Sequence, residues 1–375
     1  MRKLLSLATI FTLLVAVAFV FNTNNNSQQK ADHSFEVEEN PTRGIAGAMQ
    51  YLYAKKANQI TGEIDVNDVL KAQAMLGEPK DYKDPNTVEW EKMGPINVGG
   101  RTRALVIDKD NPNRLYTGGV SGGIYISDNG GLDWYEYAGN ATLPNMSITS
   151  MVQAANGDLY VGTGEGFAIT FSGTDGNGSS GAIGTGIYKS TDDGATFELL
   201  SETVPNPNTT GDDWAWVNDM TAHPTNANVI YAANKGGLYV TENGGDTWDL
   251  TTYGDNFDLL GVGYDITIAG NGTVHANVGS HYYRSTSTTT FDRLSGNALG
   301  QFPIGGGRKR IAVAPSDDNY VYAIVLQNNN CLDKVLQSTD GGDSWIEIAE
   351  GGSDFFAPMF NGSYCQGGYD LAFGV

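Results

Sequence analysis

Four carboxylates, Glu165, Asp219, Asp265 and Asp370, and two arginines, Arg103 and Arg310, are the residues of this chain whose types and spacing best suit chemistry. Two carboxylates about 5–10 Å apart across a cleft can share the acid and the nucleophile or base roles of glycoside hydrolysis. The same acids facing arginines across a channel can instead hold a polar ligand, or a cation through oxygen. Trp214 and Trp216 stand beside acids in Asp212-Asp-Trp-Ala-Trp216, and His281 opens the aromatic run His281-Tyr-Tyr283. Rings next to carboxylates suit carbohydrate, whose apolar faces stack while its hydroxyls donate to the acids. Packing at a boundary between sheets is the other role open to Trp214 and Trp216. Asp175 and Asn177, inside the glycine-rich run 173–186, are candidate Ca²⁺ ligands, although the run lacks EF-hand spacing. It also lacks the Lys-Ser/Thr of a phosphate-binding loop. Four scattered histidines show no metal-ligand spacing, so Ca²⁺ is the one cofactor to consider.

These residues need a scaffold, and the chain announces one by repetition. An eight-residue box occurs four times, as Ser127–Trp134, Ser190–Phe197, Thr241–Trp248 and Ser338–Trp345. A decayed fifth copy spans Tyr283–Phe291. Before each box lie three short β-rich runs, and after it a fourth, as in Trp345-Ile-Glu-Ile348. Turn-forming links such as Lys109-Asp-Asn-Pro-Asn113 join them. Four antiparallel strands per repeat, a to d, make one blade of a β-propeller.

The box has a structural task of its own. Asn129, Asp192, Asn243 and Asp340 can bond the turn backbone opened by Ser127, Ser190, Thr241 and Ser338. Gly131, Gly194, Gly245 and Gly342 supply positive φ. Trp134, Phe197, Trp248 and Trp345 can then turn inward as plugs between sheets. The box acids are therefore structural and not catalytic. Aligning the innermost strands places Ala104, Ser150, Asp219, Asp265, Arg310 and Asp370 in one column at the channel mouth. Arg103, Thr149, Asn218, Tyr264, Lys309 and Tyr369 form the next column, and a water-filled channel would tolerate any of these polar groups.

Ser-x-Asp-x-Gly-x-Thr-Trp resembles the Asp-box, or bacterial neuraminidase repeat, of sialidases, sortilin-type receptors, xyloglucan hydrolases and bacterial surface proteins. The resemblance covers 88–375 and implies an all-β propeller of about five four-stranded blades plus the start of a sixth. Asn129 and Asn243 replace Asp, Asp133 replaces Thr, and Phe197 replaces Trp. The motif occurs in enzymes and non-enzymes alike. The sialidase Arg-Ile-Pro element is missing, its nearest match being Gly99-Gly-Arg-Thr-Arg103. Where xyloglucan hydrolases carry a catalytic Asp, this chain has Val120 and Ser121.

Met1-Arg-Lys3 followed by apolar residues to Phe21 reads as a secretory signal peptide over 1–21. Residues 22–87 read as a polar linker and a short helical segment, with helix over 46–54 and 66–75. Thr87–Met93 resembles an outer strand, and Gly368–Phe373 the first strand of a sixth blade, so the expectation is a propeller continued beyond Val375. A formal charge of −21 argues against nucleic acid and anionic lipid as partners. Cys331, in a b–c loop, and Cys365, in the next d–a link, fall on one face and are expected to pair in an oxidising compartment. Together these readings describe a secreted or cell-surface module that binds a glycan or an extracellular protein. The alternative is a sialidase- or xyloglucanase-like glycoside hydrolase using acids on the face opposite the boxes.

Overall fold

The computed structural model describes residues 51, 54–55, 57–58, 60–62, 100–166, 183–206, 213–351, 365, 367–368 and 371–375. The chain divides into two compact units, Met1–Tyr51 and Leu52–Val375. Of the first, only Tyr51 is described, as helix; Ala54 and Lys55 open the second in the same conformation. The signal segment, the helix expected at 66–75 and the strand expected at 87–93 lie outside the described residues.

From Thr102 onward the structure is an all-β propeller, built as successive four-stranded antiparallel sheets. Blade I comprises β1 (Thr102–Ile107), β2 (Leu115–Gly119), β3 (Gly123–Ser127) and β4 (Tyr135–Glu136). Blade II holds β5 (Ile148–Gln153), β6 (Leu159–Thr163), β7 (Ile187–Ser190) and β8 (Glu198–Leu199). Blade III holds β9 (Val217–Ala222), β10 (Ile230–Asn234), β11 (Leu238–Thr241) and β12 (Asp249–Leu250). A small hairpin, β13 (Thr252–Tyr253) and β14 (Phe257–Asp258), then extends the next sheet. Blade IV itself is β15 (Gly263–Ile268), β16 (Val274–Val278), β17 (His281–Ser285) and β18 (Thr290–Arg293). β13 joins its outer edge parallel to β18. A parallel pair, β19 (Ser295–Gly296) and β20 (Phe302–Pro303), leads to blade V. That blade is β21 (Lys309–Val313), β22 (Val321–Leu326), β23 (Leu332–Ser338) and β24 (Ile346–Glu350). β1, β5, β9, β15 and β21 neighbour one another in that order, as innermost strands around an axis must.

The core is a series of seams between facing sheets, because each sheet is apolar on both faces. Tyr116, Ile124, Ile148 and Leu159 fill the seam between blades I and II. Tyr160, Ile187, Val217 and Ile230 fill the next, and Tyr231, Leu238, Val274 and Phe291 the third. Tyr282, Phe302, Ile311 and Trp345 close the seam between blades IV and V.

Every intact box has one hydrogen-bond pattern. In blade V the Ser338 hydroxyl donates to Asp340 (2.7 Å) and accepts from the Gly342 amide (2.8 Å), while Asp340 accepts from the Ser344 amide (2.9 Å). Blades I, II and III repeat it with Ser127–Asn129–Gly131, Ser190–Asp192–Gly194 and Thr241–Asn243–Gly245. The box backbone also receives the preceding blade. Tyr160 donates to the Gly244 carbonyl, Tyr231 to that of Thr288 and Arg284 to that of Gly341. Phe197 and Trp345 are buried as plugs and Trp248 is half-buried against Trp214. Trp134 departs from the expectation at 40% exposed. Its flank of blade I has no sheet against it among the described residues, and Leu105 and Ile107 on β1 are exposed there as well.

At the other end, Gly367 and Gly368 form a turn and residues 371–375 carry no strand. Leu371 and Phe373 instead pack on Ile324, Leu326 and Leu332 of blade V. A first strand needs a second to complete its ladder, and the described residues offer none. Cys331 and Cys365 are disulfide-bonded, which pins this segment to the β22–β23 loop.

Candidate functional site: the inner rim

Asp219, Asp265 and Arg310, which alignment puts in one column, meet at the channel mouth. Equivalent positions of β9, β15 and β21 bring them there across three blades. Arg310 Nη1 lies 2.9 Å from Asp219 Oδ2 and 2.8 Å from Asp265 Oδ1. The second Asp265 oxygen accepts the Ile311 amide at 2.5 Å. Asp265 is 1% exposed, whereas Arg310 and Asp219 keep 23% and 18% of their side chains open. Burial pushes the Asp265 carboxyl up to about 7, against Arg310, which lowers it, and with Asp219, which raises it further.

Glu165 lies just past β6, on a b–c loop of the same face, and is almost fully buried. Arg101 Nη2 stands 3.6 Å and Arg103 Nη1 3.7 Å from its two oxygens. Arg103 sits at a bulge in β1, which re-aims a side chain that strict alternation would send elsewhere. Burial holds its guanidinium below the usual range, and Arg310 and Arg101 add to this against Glu165. Arg308, just before β21, is brought down to about 9 by burial and then by Arg103 and Arg310. Neither Arg101 nor Arg308 emerges from aligning the strands, because each lies one residue before the strand that carries it. The two ion-pair groups thus sit within electrostatic reach of each other and form one rim.

The other candidates do not join it. Trp214 is buried with its ring 4.8 Å from Tyr239 and 5.5 Å from Trp248, so it is part of the blade II–III seam. Trp216 is buried too, with the Lys235 ammonium 4.4 Å over its ring. Of the two roles open to these tryptophans, boundary packing is the one the structure shows. His281 is half-buried at the start of β17, with Nδ1 2.9 Å from the Ser295 hydroxyl and its ring against Tyr283. Asp175, Asn177 and Asp370 lie outside the described residues. Among the described residues no three His, Cys, Asp or Glu side chains converge as a metal site.

The family model described as "two component regulator propeller" matches residues 142–165, the segment from blade I's exit to Glu165. No curated protein matches the chain. Among solved structures, an ancestral GH74 enzyme is similar at 20% identity and a TM-score of 0.48, over 70% of this chain and 32% of its own. An auxiliary nutrient binding protein from Bacteroides thetaiotaomicron is 13% identical, TM-score 0.43, over 68% of this chain and 58% of that one. The extracellular domain of a one component system from B. thetaiotaomicron is 12% identical, TM-score 0.41, over 68% and 36%. The chain spans about a third of the GH74 enzyme it matches.

Proposed function

We propose that this chain is a secreted or cell-surface binding module that takes a glycan at the channel mouth, on the face opposite the boxes. One observation carries the reading. The two carboxylates that converge, Asp219 and Asp265, do so on a guanidinium that fills the space between them. A hydrolase would need that space for the scissile bond, and one of the pair is sealed from solvent. Arg101, Arg310 and Asp219 keep open edges, which suits hydrogen bonding to a polar ligand. The Cys331–Cys365 disulfide supports an oxidising compartment.

The second reading, a glycoside hydrolase, is favoured by one feature: burial raises the Asp265 carboxyl, beside Asp219, in the direction a general acid requires. A glycan array probed with the full chain and with its Asp219→Asn variant tests the first reading. Retained glycans lost in the variant support it. An empty array beside capture of a defined extracellular protein replaces the glycan by a protein partner.

A further inference from the structure

The first strands of blades I to IV each slip register near their starts, at Arg103, Thr149, Asn218 and Tyr264. β21 does not: it pairs with β22 residue for residue from Lys309 onward. Strict alternation then sets Lys309 on the face of Ile311, inside the seam between blades IV and V. The side chain is fully buried there, and its ammonium has no hydrogen-bond partner among the described residues. Asn277 of β16 faces the same seam, because it lies opposite Tyr282, whose ring stacks on Phe302. Its amide nitrogen donates to the His281 carbonyl at 2.9 Å, while its Oδ1 is buried without a partner among the described residues. A donor and an acceptor left unpaired in one apolar seam are costly to the fold. An apolar side chain would fill the place of Lys309 without that cost, so the position is retained for the chemistry of its amine.

Burial lowers the Lys309 ammonium to about 8, and no neighbouring carboxylate opposes this among the described residues. Near neutral pH the site therefore holds free amine far more often than a surface lysine does. A desolvated amine is a nucleophile toward carbonyl carbon. Its product with an aldehyde is an uncharged imine, which an apolar seam tolerates better than the ammonium it replaces. His281 begins β17 on the face of the b–c loops, half-buried, with Nδ1 on the Ser295 hydroxyl. Burial, then Arg293 and Lys309, hold its imidazole below the usual range, so it is a neutral proton acceptor within electrostatic reach of the amine. We propose that Lys309 captures a small hydroxyaldehyde as an imine, the hydroxyl on the neighbouring carbon donating to Asn277 Oδ1. The amine nitrogen bonds the aldehyde carbon, and the carbonyl oxygen leaves as water with both amine hydrogens. No oxidant or reductant enters this balance, and His281 relays the protons.

The test is brief exposure of the full chain to glycolaldehyde at pH 7 with cyanoborohydride, which reduces the imine in place, followed by peptide mapping by mass spectrometry. Lys309 should be labelled roughly tenfold or more ahead of Lys189 and Lys334, whose ammonium groups are held by carboxylates. Acetaldehyde, which lacks the hydroxyl, should label Lys309 several-fold more slowly, and Asn277→Ala should erase that preference. In denaturant the lead of Lys309 should vanish, because the free amine is a property of the fold. Labelling of Lys309 no faster than of the two surface lysines overturns the proposal, as does a lead that persists in denaturant. Equal labelling by the two aldehydes overturns the hydroxyaldehyde assignment. The glycan-binding reading stands or falls separately, on the array.

Discussion

Arg310 and Asp219 are 91 residues apart in the chain and 2.9 Å apart in space. With Asp265 they tie blades III, IV and V through their innermost strands. The contact that looks most like catalytic machinery in the column of acids is therefore also an inter-blade bond.

Replacing Arg310 by Met leaves Asp265 buried without its cation. Loss of one partner from a buried pair costs about 3–5 kcal/mol, and the part-exposure of Arg310 places this case nearer about 2–3 kcal/mol. The deficit should depend on pH. The folded carboxyl of Asp265 is already raised, to about 7, so the wild-type fold is favoured by protonation below the unfolded value and loses that advantage as pH rises toward 7. Without Arg310 the raised value climbs further, so the deficit stays level while both folded proteins hold the proton and grows as pH rises past about 7. Denaturant melts of both proteins on either side of that value measure it.

Lys309 follows the opposite sign. It is fully buried, its ammonium has no hydrogen-bond partner among the described residues, and burial lowers it to about 8. A cation disfavoured in the fold destabilises it below that value, so stability should rise with pH between about 8 and 10.5 as the folded group sheds its proton first. Lys309→Met should stabilise the protein at pH 7 by about 2 kcal/mol and flatten this rise. The His281 imidazole, within electrostatic reach of the ammonium, supplies no counter-charge. Thermal melts at pH 7, 9 and 10 distinguish the two proteins.

Asp193 occupies the box position held by Gly130, Gly244 and Gly341, and like them it has a positive φ, of 57°. An L-residue there pays a steric penalty that aspartate only partly escapes. Asp193→Gly should therefore raise stability by about 0.5–1 kcal/mol. The opposite change, Gly341→Val, should lower it, and paired melts give both signs.

The Cys331–Cys365 bond closes a loop of 34 residues. Chain entropy assigns such a loop about 3–4 kcal/mol. Reduction should lower the melting temperature, with proteolysis first appearing C-terminal to Glu350, the end of β24. Mass spectrometry of limited digests with and without reductant locates the cut.

The blades were legible because their signals are local. Ser338, Asp340 and Gly342 fix a turn within five residues, and Tyr-containing runs before it alternate at strand period. What escaped depends on neighbours the sequence does not display. Trp134 carries the same box as Trp345, yet among the described residues only Trp345 has a preceding sheet, with Tyr282 and Phe302, to enter. Trp214 and Trp216 look like exposed platforms because acids flank them, but the adjoining blade covers them. Arg101 and Arg308 reach the rim from just outside their strands, where no alternation rule applies. The short ladders β13–β14 and β19–β20 are two-residue pieces too brief to leave a periodic pattern.

The most direct test of the account is to incubate the full chain with a polysaccharide panel and, in the same wells, measure polysaccharide retained and reducing ends released. The account predicts retention with no release, unchanged by Asp265→Asn wherever that variant remains folded. Reducing sugar released by the wild type and abolished in Asp265→Asn would contradict it, and would make the Asp219–Asp265 pair the centre of an enzyme.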